Sequence, residues 1–290
     1  MTRIRTIAAM GALALILAAC GGLKDDGKGG SGSGGGEISH PMGSNELVLR
    51  WEYQGGFVAP EYTLTRPPSW SLYGDGSLIV EGPVIEIYPG PALPNLLVTR
   101  LSEDGIQAIL RAARDAGLMN GDASYPYPCV ADAPDTVFTT NAEGTTSVVS
   151  ATALGNTDGG ACPNVDTAAR KDLAGFLSKI GDLATMLPSG SIGTEEPYAY
   201  SEIRIYAMPY QGQPDVPQER VAWPLATPLD SFGDPQQVGI QDARCGVVSG
   251  ADLDTLMPLM QGANELTPWT SGGSRYRLIL RPLLPDEHGC

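Results

Sequence analysis

Apolar residues recur at helical spacing in three places along the chain. The first stripe consists of Ile106, Ile109, Leu110 and Ala113. These residues occupy positions i, i+3, i+4 and i+7, which is one face of a helix, and they lie between a capping Ser102 and a terminating Gly117. The same spacing predicts a second helix over 166–187 and a third over 249–264, where Pro258 predicts a kink or an early end.

Between these helices, short runs alternate apolar and polar side chains with the period of two that favours a β-strand. Asp75-Gly76 joins two such runs and is a strong hairpin signal, and Glu143-Gly144 lies between a second pair. The predicted strands are 46–53, 70–73, 77–80, 84–88, 96–100, 136–140, 145–151, 201–208 and 275–281. We therefore predict an α+β protein that is rich in β-strand and has about three helices.

The first and third predicted helices are related by one fixed offset. Ser102 and Ser249 are 147 residues apart, as are Ile106 and Leu253, and strand-like sequence lies before and after each helix. This offset favours two similar α+β halves, 45–188 and 189–290. Any capped amphipathic helix shows much of the same pattern, so the alternative is two unrelated halves.

The start of the chain has the features of an export signal. Arg3 and Arg5 precede an apolar run over 7–17, which is far shorter than the roughly 20 residues that span a bilayer. This favours a signal peptide over a membrane helix. Leu17-Ala18-Ala19-Cys20 resembles the lipobox of bacterial lipoproteins at all four positions. The resemblance implies that 1–19 is removed and that Cys20 carries the lipid, which anchors the protein on the extracytoplasmic face of the cell membrane.

The next segment, 20–44, has the composition of a linker. Nine glycines lie between Gly21 and Gly36, with no residue able to build a core. A random coil of this kind has a root-mean-square span of roughly 25–30 Å. We therefore predict a flexible tether that holds the folded body near the membrane surface.

The formal net charge of the chain is −15, and removal of 1–19, which contains Arg3 and Arg5, would make it −17. An acidic surface argues against nucleic acid as a partner, because phosphates require a basic face. A high net charge is typical of an exported protein that must stay soluble.

Once Cys20 is assigned to lipid, four cysteines remain, an even number that outside the cytoplasm indicates disulfides. Four cysteines allow three pairings. We favour Cys129–Cys162 and Cys245–Cys290, since each pair stays within one predicted half. Metal binding is the alternative, but the cysteines have no Cys-x-x-Cys spacing and the predicted body has one histidine, His288.

Few residues suit catalysis. No Gly-x-Ser-x-Gly motif occurs, and no Walker A loop or dinucleotide fingerprint appears in a strand–helix context. Lys171 and Lys179 lie on the predicted second helix, where solvent-facing charges are expected. We therefore expect no cofactor and no metal. Paired carboxylates, as used in glycoside hydrolysis, stay open as an alternative. Loop candidates are Asp132, Asp135, Asp158 and Asp242.

Three aromatic residues, Tyr125, Tyr127 and Trp269, lie in proline-containing loops. Such rings can stack on sugars or anchor a partner protein, or they can pack beneath their own loops. They are the candidate binding residues of the sequence.

The sequence favours a non-catalytic binding module of the cell envelope, with an envelope protein or a cell-wall glycan as partner. A secreted carboxylate-dependent hydrolase is the first alternative. A transporter substrate-binding lipoprotein is the second, although it would need more helices. In Trp51-Glu52-Tyr53 and Tyr73-Gly74-Asp75-Gly76 the body resembles uncharacterised secreted bacterial lipoproteins, and this resemblance implies no activity.

Overall fold

A computed structural model describes residues 36–156, 162–213, 215–236 and 242–290. The predicted signal peptide, Cys20 and the tether up to residue 35 lie outside these residues, as does Asp158. Residues Glu37–Cys290 form one compact unit. Within the described residues the fold is α+β and rich in β-strand, as predicted.

The strands form two sheets. The strands, in chain order, are β1 (Leu47–Gln54), β2 (Trp70–Tyr73), β3 (Ser77–Glu81), β4 (Leu96–Arg100), β5 (Ala123–Tyr125), β6 (Asp135–Ala142), β7 (Thr145–Thr152), β8 (Glu196–Pro197), β9 (Glu202–Pro209), β10 (Val221–Ala222), β11 (Asp234–Pro235), β12 (Arg244–Ser249), β13 (Pro268–Ser271) and β14 (Ser274–Pro282). The first sheet has the order β5-β7-β6-β1-β2-β3-β4-β8 and the second β10-β13-β14-β9-β12-β11. Both predicted hairpins are present, as β2–β3 and β6–β7.

Each sheet buries one face under helices. The helices are α1 (Pro60–Thr65), α2 (Glu103–Asp115), α3 (Thr167–Ile180), α4 (Leu183–Met186) and α5 (Gly250–Gly262). Helix α2 begins at Ser102, whose hydroxyl accepts a hydrogen bond from Gly105 N–H. Its predicted stripe packs with α3 on the first sheet, and α5 packs with Trp269 on the second. The apolar periodicity of the sequence therefore places both helix layers correctly.

The opposite faces of the two sheets are joined by the last residues of the chain. Leu284 is buried with Tyr73, Ile79 and Leu96 of the first sheet. Asp286 accepts hydrogen bonds from Arg50 Nη2 and Tyr73 Oη, both at 2.7 Å. The C-terminal segment therefore extends the packing of the second sheet onto the first.

Three details differ from the sequence-based expectations. The predicted second helix is divided at Gly181 and Asp182, where Asp182 caps the short α4. Residues 84–88 form no strand. Helix α5 continues past Pro258 to Gly262, with Pro258 on its exposed side.

The tether ends earlier than predicted. Ile38 is only 4% exposed, and its backbone exchanges two hydrogen bonds with the Gln107 side chain. His40 lies 3.1 Å from a carboxylate oxygen of Glu103. Residues 38–40 are therefore part of the body, which begins before residue 45.

The two halves differ in strand order. Helix α2 follows β4, three places from β1 in the first sheet, whereas α5 follows β12, which is adjacent to β9 in the second. Strand β8, which lies in the predicted second half, pairs with β4 of the first sheet. Duplication of the halves stays a prediction, supported by the helix offset alone.

The outermost strands of both sheets are short. Strand β5 has three residues, whereas β8, β10 and β11 have two each. Pro197 and Pro235 lie in two of them.

The first sheet has two distinct ends. Residues 38–41 enter at the end where β1 starts, since Ser39 bonds Glu143 in the β6–β7 turn. Strand β1 stops at the other end, where Gln54 pairs with Asp135 at the start of β6. The loops 55–59 and 82–95 both leave from this second end, because β3 ends at Glu81 beside Leu96.

Candidate functional site

A cleft of about 910 Å³ lies between the end of β1 and the second sheet. One wall is formed by Glu52–Gln54, the following loop and α1. The other is formed by Arg204 and Tyr206 of β9 and Arg281 of β14. Clefts of this size are where ligands usually bind, particularly between sub-structures. Four other clefts lined by described residues are smaller, at about 440–590 Å³.

The local sequence explains the wall beside β1. Gly55 and Gly56 have φ values of +66° and +87°, a left-handed conformation that glycine adopts without strain. They turn the chain out of the sheet, and Phe57 N–H donates to the Asp132 carbonyl oxygen at 3.0 Å. Pro60 then starts α1, a position where its fixed φ favours a helix. The loop is therefore held at both ends.

Aromatic and apolar side chains on this wall face solvent. Phe57 is 89% exposed, Tyr62 47%, Val58 43% and Tyr53 39%. We call these four residues the cleft lip. The Arg66 guanidinium lies 4.6 Å from the centre of the Tyr53 ring and 5.3 Å from that of Tyr62. Such cation–π contacts orient the guanidinium and the two rings together.

Arg66 has no acidic partner among the described residues. The salt bridges found there, within 4.0 Å, involve Arg50, Arg100, Arg114, Arg277 and Arg281 and do not include Arg66. Arg66 is half-buried, and its charge is therefore available to an anionic group of a ligand. Arg204 on the facing wall donates from Nε to the Gly289 carbonyl oxygen at 2.6 Å.

Arg281, in the wall formed by the second sheet, is held by an ion pair. Both terminal nitrogens of Arg281 donate to the Glu287 carboxylate, at 2.6 and 2.7 Å. Burial would raise the pKa of Glu287, but the hydrogen bonds and charge of Arg281 lower it overall, together with the Leu284 N–H and Arg50. Burial raises the pKa of Tyr73 far above its ordinary value, and the charge of Asp286 adds to this. This cluster is a structural support for the wall.

The carboxylates give little sign of acid catalysis. Glu52 and Asp132 line the cleft, with Asp132 exposed in a left-handed turn at φ +59°. Asp135 lies on β6 and Asp242 in a turn at φ +56°. Among the described residues, the carboxyl groups with a displaced pKa are Asp75, Glu103 and Glu287, and each pKa is lowered because hydrogen bonds and cations outweigh burial. A general acid needs the opposite shift.

Two of the three predicted binding aromatics are buried. Trp269 is 1% exposed within the core of the second sheet, and Tyr127 is 7% exposed with its ring 5.0 Å from Arg170. Neither presents a ring to solvent, so those two predictions are wrong. Tyr125 is partly buried against the first core. All three lie outside the cleft.

The cleft residues were missed because their signal is weak. Phe57 and Val58 follow Gly-Gly and lie outside any alternating pattern, so the sequence predicts neither a strand nor a helix there.

The disulfides pair as favoured, Cys129–Cys162 and Cys245–Cys290. Cys290 lines the cleft, so the second disulfide fixes part of its wall. Lys171 and Lys179 are exposed, as expected. Within the described residues no group of three or more potential metal ligands is found, and no helix there has the length and apolar character needed to cross a bilayer.

We compared the chain with protein-family models, curated proteins and solved structures, and none of the three comparisons found a match.

Proposed function

We propose that the protein is a lipid-anchored, extracytoplasmic binding module that holds an envelope component in the cleft. The observation that carries the proposal is Arg66, a half-buried cation between two partly exposed tyrosines with no carboxylate within 4 Å among the described residues. Such a group is suited to recognition.

The positions of the chain entry and of the cleft at the two ends of the first sheet support this proposal. The body begins at the end of the sheet near Ser39, and the cleft opens at the opposite end near Gln54. The part of the predicted tether that precedes the body, residues 21–36, has a random-coil span of roughly 20–24 Å. A lipid on Cys20 would therefore attach the body at the end of the first sheet opposite the cleft.

The two disulfides are compatible with an extracytoplasmic location, because cytoplasmic proteins seldom keep them. The anchor itself rests on the lipobox. Growth with labelled palmitate should label the chain, and Cys20→Ser should abolish the label and release the protein from membranes. A labelled, membrane-bound Cys20→Ser protein would exclude this anchor.

Binding is tested by sedimentation of the purified protein with isolated cell envelopes. Arg66→Glu should reduce the bound fraction at least tenfold, because it replaces the cation with a like charge for an anionic ligand. Lys171→Glu, an equal charge change on the exposed face of α3, should bind like the parent protein. Equal binding by the parent and Arg66→Glu proteins would show that the cleft is not the site.

A carboxylate-dependent hydrolase is the second candidate, since Glu52 and Asp132 both line the cleft. It requires turnover of a glycan or peptide that Glu52→Gln or Asp132→Asn abolishes. Substrate turnover that both variants retain, or no turnover of a broad panel, would remove this candidate.

A further inference from the structure

Two arginines line the cleft, one from each wall, without an acidic partner. Arg66 lies on the wall beside β1 and Arg204 on the wall formed by the second sheet. Within 4.0 Å, the salt bridges of the described residues include neither of them. Arg204 donates to the backbone carbonyl oxygens of Gly289 and His288, at 2.6 and 3.5 Å, and these acceptors are uncharged. The cleft therefore offers two positive charges to a ligand.

Two carboxylates line the same cleft without a cationic partner in the part of the chain that the structure describes. Glu52 Oε1 accepts a hydrogen bond from Gln54 Nε2 at 2.8 Å, and Asp132 is exposed. Neither carboxylate belongs to a salt bridge there. An ionised carboxylate only accepts hydrogen bonds, whereas a guanidinium only donates them. A ligand that satisfies both pairs of side chains therefore carries anionic groups for the arginines and hydrogen-bond donors for the carboxylates.

The strands that border the cleft have no free backbone edge. In the two sheets, β1 lies between β6 and β2, β9 between β14 and β12, and β14 between β13 and β9. An extended peptide is commonly recognised by adding a strand to an exposed sheet edge, where main-chain hydrogen bonds supply the affinity. Because these three strands are paired on both sides, recognition at the cleft depends on side chains instead.

The cleft lip adds exposed ring surface beside these polar groups. Phe57 is 89% exposed, yet its backbone is fixed because its N–H donates to the Asp132 carbonyl oxygen at 3.0 Å. Arg66 lies over the rings of Tyr53 and Tyr62, so it holds these two rings in one arrangement. A fixed, exposed ring beside side chains that donate and accept hydrogen bonds suits a sugar, whose C–H face is apolar and whose edge carries hydroxyls.

We infer that the cleft binds an acidic glycan, a sugar chain that carries carboxylate or phosphate groups. The inference rests on the proposed binding function and names the ligand class. Arg66 and Arg204 bind the anionic groups, since a guanidinium forms charge-assisted, two-point hydrogen bonds with carboxylate and phosphate alike. Glu52 and Asp132 accept hydrogen bonds from the hydroxyls, and Phe57 stacks on a sugar ring. An acidic peptide supplies the anions but few hydroxyls, and a neutral glycan leaves the arginines unpaired.

The test is sedimentation of the purified full chain with cell envelopes whose chemistry has been altered before mixing. Protease treatment should leave the bound fraction unchanged, because the ligand is not a protein. Periodate oxidation or muramidase digestion, which break glycan chains, should abolish binding. Methyl esterification of carboxylates, or cleavage of phosphodiesters with cold hydrofluoric acid, should reduce binding at least about tenfold, because charge-assisted hydrogen bonds are lost. The treatment that does so identifies the anionic group.

Binding that protease abolishes would show that the ligand is a protein and would overturn the inference. Binding that survives both glycan-breaking treatments, or both treatments that remove negative charge, would overturn it as well. If binding still depends on Arg66 in any of these cases, the proposed function stands without the inference. Equal binding by the parent and Arg66→Glu proteins would remove both.

Glycan fragments released from the protease-treated envelopes are then titrated with the purified variants by calorimetry. Arg66→Ala should weaken binding by about 10- to 100-fold, because the hydrogen bonds to a charged group are lost. Phe57→Ser should weaken it by about 3- to 10-fold through lost stacking. Lys171→Ala, at an exposed position outside the cleft, should bind like the parent chain. Tighter binding by Glu52→Ala would contradict the inference, because it would show that this carboxylate repels the ligand instead of accepting its hydroxyls.

Discussion

The buried Arg170 side chain offers the sharpest test of the fold. It is 0% exposed, and its guanidinium donates to four backbone carbonyl oxygens, those of Tyr125, Thr152, Ala153 and Asn156, at 2.7–3.0 Å. These carbonyls belong to the ends of β5 and β7 and to the turn after β7. One side chain of α3 therefore holds together three segments at the edge of the first sheet.

Arg170→Met removes all four hydrogen bonds while keeping most of the apolar volume. A buried carbonyl left without a partner costs about 1–3 kcal/mol. At the lower figure, we expect the free energy of unfolding to fall by about 4 kcal/mol, or by about 3 kcal/mol if one carbonyl reaches water. For a chain of this size, the thermal midpoint should fall by roughly 6–16 °C.

The assay is urea and thermal unfolding followed by circular dichroism, with the disulfides intact. Lys171→Met is the matched control, because Lys171 is the exposed neighbour on the same helix, and it should change stability by less than about 0.5 kcal/mol. A loss below about 1 kcal/mol in Arg170→Met would refute the reasoning, since it would mean that the four carbonyls are well solvated without the arginine.

Three further predictions concern the second disulfide, the pH dependence of stability and two aromatic residues. Replacing Cys245 and Cys290 by serine should lower the free energy of unfolding by about 2–4 kcal/mol, and addition of reductant should then cause less further loss than in the parent protein; an unchanged thermal midpoint would contradict this. The pKa of Glu287 in the folded protein is lowered from its ordinary 4.5. Its contribution to the free energy of unfolding is therefore present above the pKa of the unfolded chain, and it is lost as the pH falls through the pKa of the folded protein. Glu287→Gln should therefore destabilise the protein more at pH 7 than at pH 3 in urea unfolding, and equal losses at both would count against the ion pair. Trp269→Ala should cost about 3–5 kcal/mol in the same measurement, whereas Phe57→Ser should change stability by less than about 0.5 kcal/mol; a large loss for Phe57→Ser would show that this ring is structural.

The fold was predictable from the sequence where a local pattern of residues has a single physical explanation. The stripe on α2, the Ser102 cap and the Asp75-Gly76 hairpin are local signals, and each appears in the structure. Residues 84–88 show the limit of such signals, because their β-branched and aromatic side chains favour a strand, while pairing depends on a neighbouring strand that the fold does not supply. The division of the second helix at Gly181 likewise depends on capping by Asp182.

The candidate site was harder to predict, because the cleft joins residues that are distant in the sequence. Arg66 and Tyr53 meet through a loop and a short helix, and Arg204 reaches the same cleft from the second sheet. Arg170 was similarly hidden, although it lies three residues before Leu173 on the stripe of α3. A charged residue on an apolar stripe is a signal for a buried structural cation.

The brevity of the outer strands bears on how these molecules behave when crowded. A long, unpaired edge strand is a template for pairing with another copy, which leads to aggregation. Here the edges β8 and β11 have two residues each and contain proline, whose missing N–H cannot extend a ladder. If the protein carries the proposed lipid anchor, its copies would share one membrane surface and would meet far more often than copies free in solution. Such edges suit a protein that must stay separate from its neighbours at high surface density.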